Sequence, residues 1–202
     1  MTNNYEKIIQ HNLAHIYGRN LEALEDNLPA EKKGTYFYFR AFGEDCCLTP
    51  DGITLSGLPA NGPKGLLISL YAGNVGPETL QMTPFKAFKD LPNSMPYHGA
   101  FSINSEKVLI PYVSKLETTQ ERIKEIFYGK SAPDGTSGDF AFTVYPLPKI
   151  ALCYIFYRSD DEFPASSICL FSANADTFMP IDGLADVGEY TSKTLIELVK
   201  KD

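Results

Sequence analysis

The stretch IALCYIFYRSDDEFPASSICLFS, residues 150–172, decides the fold class. Ile150–Arg158 is an apolar, aromatic-rich run of strand length, and Ile168–Ser172 reads as another strand. Between them lies an acidic turn, Asp160–Asp161–Glu162–Phe163–Pro164. Acids and Ser are ordinary turn chemistry, Pro164 stops the ladder because it has no N–H, and Phe163 is expected to plug the core. Upstream, Phe140–Tyr145 is a further strand, joined to Ile150–Arg158 around Pro146 and Pro148.

A second group of strands precedes it. Tyr36–Phe42, Cys46–Thr49 and Ile53–Ser56 form an expected meander over residues 35–57, with a type I turn at Pro50–Asp51–Gly52 and Thr49 in its first position. Helices surround the two groups. Tyr5, Ile8, Ile9, Leu13 and Ile16 recur at helical spacing over residues 4–17, with Gly18 as the expected stop. A short helix, Leu21–Asn27, ends before Pro29, and an apolar one begins at Leu66–Ala72. Residues 80–97 carry Pro84, Pro92 and Pro96 and predict an irregular connection. Helical pattern returns over 98–128, with breaks predicted at Pro111 and at Leu116–Thr119, and Thr118 or Thr119 capping Gln120–Tyr128. Gly129–Gly138 is a loop, and the last helix spans about 184–200. Strands that cluster rather than alternate with helices predict an α+β fold, mainly an antiparallel sheet packed with helices. The expected organisation is a single domain over 1–202, with a helical N-terminal segment at 1–30.

Composition narrows the function classes. A chain that is 44% hydrophobic and 21% charged has the ordinary globular mix. The net charge of −7, without a basic stripe, argues against nucleic acid as a partner. No window approaches the roughly 20 apolar residues of a membrane span, and MTNNYEKIIQHN has no signal-peptide core, so a cytoplasmic protein is expected. The four cysteines include no CxxC spacing, so neither a zinc knuckle nor an iron–sulfur cluster is read from them.

The candidate site residues each have a plainer reading beside the chemical one. Asp160 and Glu162, on one side of an extended backbone, with Asp161 between them, suit a hard cation or an acid and base pair; a solvated turn at a strand end is the better reading. His11 and His15 stand one helical turn apart, a metal-ligand spacing, yet on the polar side of their helix and with no third ligand nearby. His98 is a candidate general base or a helix-start residue. Gly129–Lys130–Ser131 imitates the end of a phosphate loop, but Lys124 stands where its first glycine belongs. Gly62–Pro63–Lys64–Gly65 precedes a helix and could offer N–H groups to an anion, or simply be a loop. Cys46 beside Asp45 is expected to have a raised thiol pKa, against nucleophilic use. Twelve tyrosines and thirteen phenylalanines without a tryptophan would suit a pocket for a flat ligand as well as a core.

Several segments taken together, Phe42–Gly43–Glu44–Asp45–Cys46 leading to Pro50–Asp51–Gly52, Gly138–Asp139–Phe140 before Leu147–Pro148, and Asp160–Asp161–Glu162–Phe163–Pro164–Ala165 before Leu170–Phe171, resemble one uncharacterised bacterial and archaeal family, catalogued as a domain of unknown function. The resemblance covers about 35–202. Relatives in anaerobes are joined to cysteine-rich iron–sulfur segments or labelled iron–sulfur proteins, cysteines that this chain lacks. It implies a binding or accessory protein linked to anaerobic redox or cofactor metabolism, acting on a small molecule or a protein partner. The competing expectation is a carboxylate-based enzyme or metal-dependent hydrolase. There Asp160, Asp161, Glu162 or His98 would act beside ligand-binding Asp45 and Asp51.

Overall fold

The computed structural model describes residues 4–19 and 21–201; residues 1–3, 20 and 202 of the expected single unit lie outside the described residues. Two helices open the chain, α1 (Asn4–Arg19) and α2 (Leu21–Asn27). A five-stranded meander follows: β1 (Glu31–Lys33), β2 (Tyr36–Ala41), β3 (Glu44–Thr49), β4 (Gly52–Leu55) and β5 (Leu58–Pro59), in that spatial order. Helix α3 (Pro63–Asn74) leads to β6 (Lys86–Ala87), α4 (Met95–Phe101) and α5 (Val113–Ile126). Then come β7 (Lys130–Ser131), β8 (Phe140–Leu147), β9 (Ile150–Tyr157), β10 (Ser166–Phe171) and α6 (Ile181–Lys200). The second sheet has the order β6-β10-β9-β8-β7, and every pairing in both sheets is antiparallel. The fold is α+β, a single domain, with its strands divided between two sheets.

The turns of the first sheet are written locally. Ala41 pairs with Glu44 across Phe42 (φ +51°) and Gly43 (φ +78°), a two-residue turn with both central residues left-handed, the primed geometry that matches strand twist. A Cβ on Gly43 would stand 2.7 Å from Ile126 Cγ2, so this turn lies directly on the end of α5. At the next turn the Thr49 hydroxyl accepts the N–H groups of Asp51 (3.2 Å) and Gly52 (3.1 Å), fixing Pro50–Asp51 as the sequence predicts.

One core joins the layers. From α1 it takes Ile9, Leu13 and Ile16, while Tyr5 and Ile8 of the same expected face stay exposed. Phe37, Ala41, Cys46, Leu48, Ile53 and Leu55 face it from the first sheet. Strand β9 is buried from Ile150 to Phe156, as a strand covered on both sides must be. Helix α6 adds Leu184, Val187, Leu195 and Val199. The Tyr154 hydroxyl meets Ser192 Oγ at 3.1 Å, and Ser192 Oγ donates to the Ser105 carbonyl at 2.6 Å.

Several expectations need correction. Gly18 does not stop α1, which runs on to Arg19. Neither Thr118 nor Thr119 caps a helix: α5 is continuous because Leu116 and Ile123 hold one buried face, and the Thr118 hydroxyl donates back to the Lys115 carbonyl (3.0 Å). Before α5 the chain passes through a π-helical turn, Ser102–Glu106, and a 3₁₀ segment, Lys107–Tyr112, that accommodates Pro111. The π turn has a task at the sheet edge. Only Leu170 and Phe171 of β10 pair with β6, and beside the unpaired part Glu106 substitutes for a strand. Its carboxylate accepts the Cys169 N–H (3.1 Å) and its carbonyl accepts from Ser167 Oγ (2.6 Å).

Phe163 does not plug the core; it is 66% exposed. The Asp160 carboxylate accepts the N–H groups of Glu162 (2.9 Å) and Phe163 (2.7 Å), and Asp160 N–H donates to the Phe163 carbonyl (3.0 Å). That closed turn spends its polar groups on itself and turns the ring to solvent.

Candidate functional site

A cleft of about 700 Å³ opens where the first sheet meets the second. Phe39 and Cys46 come from paired positions on β2 and β3. Phe127 and Tyr128 come from the end of α5, Lys130 from β7, and Tyr145 and Pro148 from the β8–β9 hairpin. Five rings, Tyr38, Phe39, Phe127, Tyr128 and Tyr145, supply much of its apolar wall.

Arg40 of β2 binds the parts together. Its Nη1 donates to Asp45 Oδ1 (2.7 Å), and its Nη2 donates to the carbonyls of Gly43 (2.5 Å) and Ile126 (2.8 Å). The guanidinium carbon lies 5.1 Å from the Tyr128 ring centroid, a cation–π contact. Its Nε is enclosed with no hydrogen-bond partner among the described residues. On the other side the Phe42 N–H donates to the Pro146 carbonyl at 2.7 Å, pinning the first sheet to the second. The segment Phe42–Gly43–Glu44–Asp45–Cys46 thereby gains a physical account. Phe42 anchors to β8, Gly43 admits α5, Glu44 holds Lys64 (3.0 Å), Asp45 orients Arg40, and Cys46 enters the cleft.

The cleft mouth is formed at the α5 terminus. Gly129 N–H donates to the Lys124 carbonyl (2.6 Å) and Tyr128 N–H approaches the Glu125 carbonyl (3.4 Å), the paired bonds of a Schellman end. In that motif the left-handed residue is usually glycine. Here it is Tyr128, at φ +51°, and the glycine comes one place later. Gly129 is required for another reason, since a Cβ there would stand 2.4 Å from the Thr143 carbonyl.

Two titratable groups of the cleft are shifted by burial. Burial, with smaller contributions from Cys47 and Glu44, pushes the Cys46 thiol up, so it stays protonated at neutral pH. Asp45 itself is exposed and opposite in facing, so it is not the cause the sequence suggests. Burial also raises the Tyr145 hydroxyl, which donates to Met82 Sδ (3.6 Å).

Other sequence candidates are scattered. The acidic turn follows the opposite end of β9 from the hairpin, and β9 is eight residues long, roughly 25 Å. Asp160, Asp161 and Glu162 are exposed there, and Asp160 is held below the usual carboxylate range by the Phe163 and Glu162 N–H groups. Asp45 is in the cleft, whereas Asp51 sits at the far turn of β3, its carbonyl accepting from Gln10 Nε2 (2.9 Å). His98 lies inside α4, half-buried, with Nδ1 enclosed and without a hydrogen-bond partner among the described residues. His11 and His15 are exposed beside a hollow of about 270 Å³ shared with Asn12 and Ser69. Among the described residues no group of three His, Cys, Asp or Glu side chains is placed to hold a metal ion. Gly62 and Pro63 start α3, and Lys64 is turned to Glu44. Gly129–Lys130–Ser131 forms the helix end and the edge strand β7.

Sequence reasoning missed Arg40, Tyr128 and Tyr145, and met Lys130 only as a failed phosphate loop. The available signal was Phe127–Tyr128–Gly129, where an apolar helical period ends with its glycine one residue late.

No helix among the described residues is long and apolar enough to cross a membrane. No curated protein and no solved structure matches the chain. A family model does match residues 3–194, and so takes in α1 and α2 as well as both sheets. The chain belongs to the family described as Domain of unknown function (DUF3786).

Proposed function

We propose that this is a cytoplasmic, non-catalytic binding or accessory protein whose small-molecule ligand lies in the cleft between the two sheets. One observation carries the reading: a concavity of about 700 Å³ with aromatic walls and a few fixed polar groups, the ordinary form of a small-molecule site of roughly 300–1,000 Å³. The Arg40 hydrogen bonds hold its walls in place before any ligand arrives, which lowers the ordering cost of binding. The role in anaerobic redox or cofactor metabolism implied by the family resemblance belongs to this proposal. In it the protein would carry or present an organic ligand to a partner that holds the redox centre.

The test is a thermal-shift screen of small aromatic metabolites on protein purified anaerobically, followed by amide chemical-shift mapping of each hit. A ligand at about a hundred times its Kd stabilises by about 2.7 kcal/mol, which for a chain of 202 residues is about 5–11 °C in Tm. The expected shifts cluster at Phe39, Cys46, Phe127 and Tyr145. A screen without a hit, or hits whose shifts map to other surfaces, overturns the proposal.

A further inference from the structure

We infer that the ligand of the cleft is an aromatic anion, its ring stacked on Tyr128 and its carboxylate, phosphate or sulfonate held by Lys130. This inference rests on the cleft reading above and adds the chemistry of the occupant.

The first ground is charge. The charged residues that line the cleft are Glu31, Arg40, Asp45 and Lys130. Arg40 is paired with Asp45 at 2.7 Å, and Glu31 with Lys33 at 2.9 Å. Among the described residues Lys130 forms no ion pair, so its ammonium is the charged group of this lining left without a partner. Lys130 is also fixed at its backbone, paired with Thr143 across β7 and β8. In the shallower groove outside, which Tyr128 and Lys130 also line, Lys124 is neutralised by Glu121 (2.6 Å), and Glu125 lines that outer groove only.

The second ground is the ring. Tyr128 occupies a left-handed position that disfavours any side chain, and 65% of it remains exposed. A large ring kept where glycine is preferred, without being buried, has no packing reason to be there. Strain of this kind gathers at ligand sites. The Arg40 guanidinium steadies the ring at 5.1 Å and leaves most of its surface open at the cleft mouth. Tyr128 therefore offers a flat, preorganised platform two residues from the free ammonium of Lys130.

Two probes that share a ring system and differ by one sulfonate separate the parts of this inference. They are 8-anilinonaphthalene-1-sulfonate and neutral N-phenyl-1-naphthylamine, titrated by fluorescence into the full chain. Wild type is expected to bind the sulfonate about tenfold more tightly, the worth of one hydrogen bond to a charged group. Lys130→Gln should abolish that preference without changing affinity for the neutral probe. Tyr128→Gly should weaken both, and it keeps the helix end intact because glycine is the usual residue there. Equal or tighter binding of the neutral probe, unchanged by Lys130→Gln, overturns the anion inference and leaves the cleft as a neutral-ligand site. If neither probe binds, or both bind with affinities untouched by Tyr128→Gly and Phe39→Ala, the cleft reading itself falls.

Discussion

Replacing Gly43 with Ala puts the joint between the first sheet and α5 under measurable load. The residue sits at φ +78°, and an added Cβ would stand 2.7 Å from Ile126 Cγ2 and 3.3 Å from the Phe127 ring. Two penalties combine. A left-handed conformation costs an alanine about 1 kcal/mol, and forcing a methyl into a packed contact costs about 1–3 kcal/mol. The expected loss is therefore about 2–4 kcal/mol. Gly57 supplies the control, with φ +79° at the second position of the Ser56–Gly57 turn and, among the described residues, no atom within 4 Å of an added Cβ. Gly57→Ala should carry only the conformational penalty, about 1 kcal/mol. At about 2–4 °C per kcal/mol for a domain of this size, the Gly43 variant melts about 4–16 °C below wild type and the Gly57 variant about 2–4 °C below. Urea denaturation followed by circular dichroism gives the free energies, with the m value as a check that the denatured state is unchanged. Losses that agree within about 0.5 kcal/mol would refute the close approach of this turn to α5.

Two further expectations concern polar groups. The Asp160 carboxylate is held below its ordinary pKa by the Phe163 and Glu162 N–H groups. Its contribution to stability is thus complete above the unfolded value of about 3.9 and disappears as pH falls through the lower folded value. The amide resonances of Glu162 and Phe163 should titrate below that pH and stop titrating in Asp160→Asn; a midpoint at or above it would contradict the turn geometry. In the core, the Ser192 hydroxyl proton is committed to the Ser105 carbonyl, so Tyr154 donates to Ser192 Oγ. Tyr154→Phe should cost about 1 kcal/mol and Ser192→Ala, which strands both a buried hydroxyl and a carbonyl, about 2–3 kcal/mol; the reverse order in chemical denaturation would show that the chain of bonds runs otherwise.

Local rules carried the sequence a long way towards the fold. Helix α2 and strands β2–β4 and β8–β10 follow from period, aromatic and β-branched content and turn residues within a few positions of each other. Strands β1, β5, β6 and β7 did not, since pieces of two or three residues have no period to read. Division into two sheets was equally out of reach, because nothing local says which strand group pairs with which. The cleft is the extreme case. Its latch joins Arg40 to Ile126 across 86 positions, and no spacing rule spans such a distance. The acidic turn stood out in sequence because its charges are adjacent, and they are adjacent because the turn is solvated. Phe163 misled for a related reason: ring hydrophobicity predicts burial on average, while the Asp160 hydrogen bonds decide this particular ring.

The π turn at Ser102–Glu106 has a consequence for life in a crowded solution. An unpaired stretch of strand is a template on which any passing chain can crystallise a ladder, copying itself outward. At the open half of β10 the partner is a side-chain carboxylate instead of a peptide, 63 positions away in the chain. A carboxylate can accept from the strand but offers no backbone of its own for the next arrival, so propagation halts after one step. The π turn thus sets Glu106 against the strand as a terminating partner, one of the groups that cover this edge.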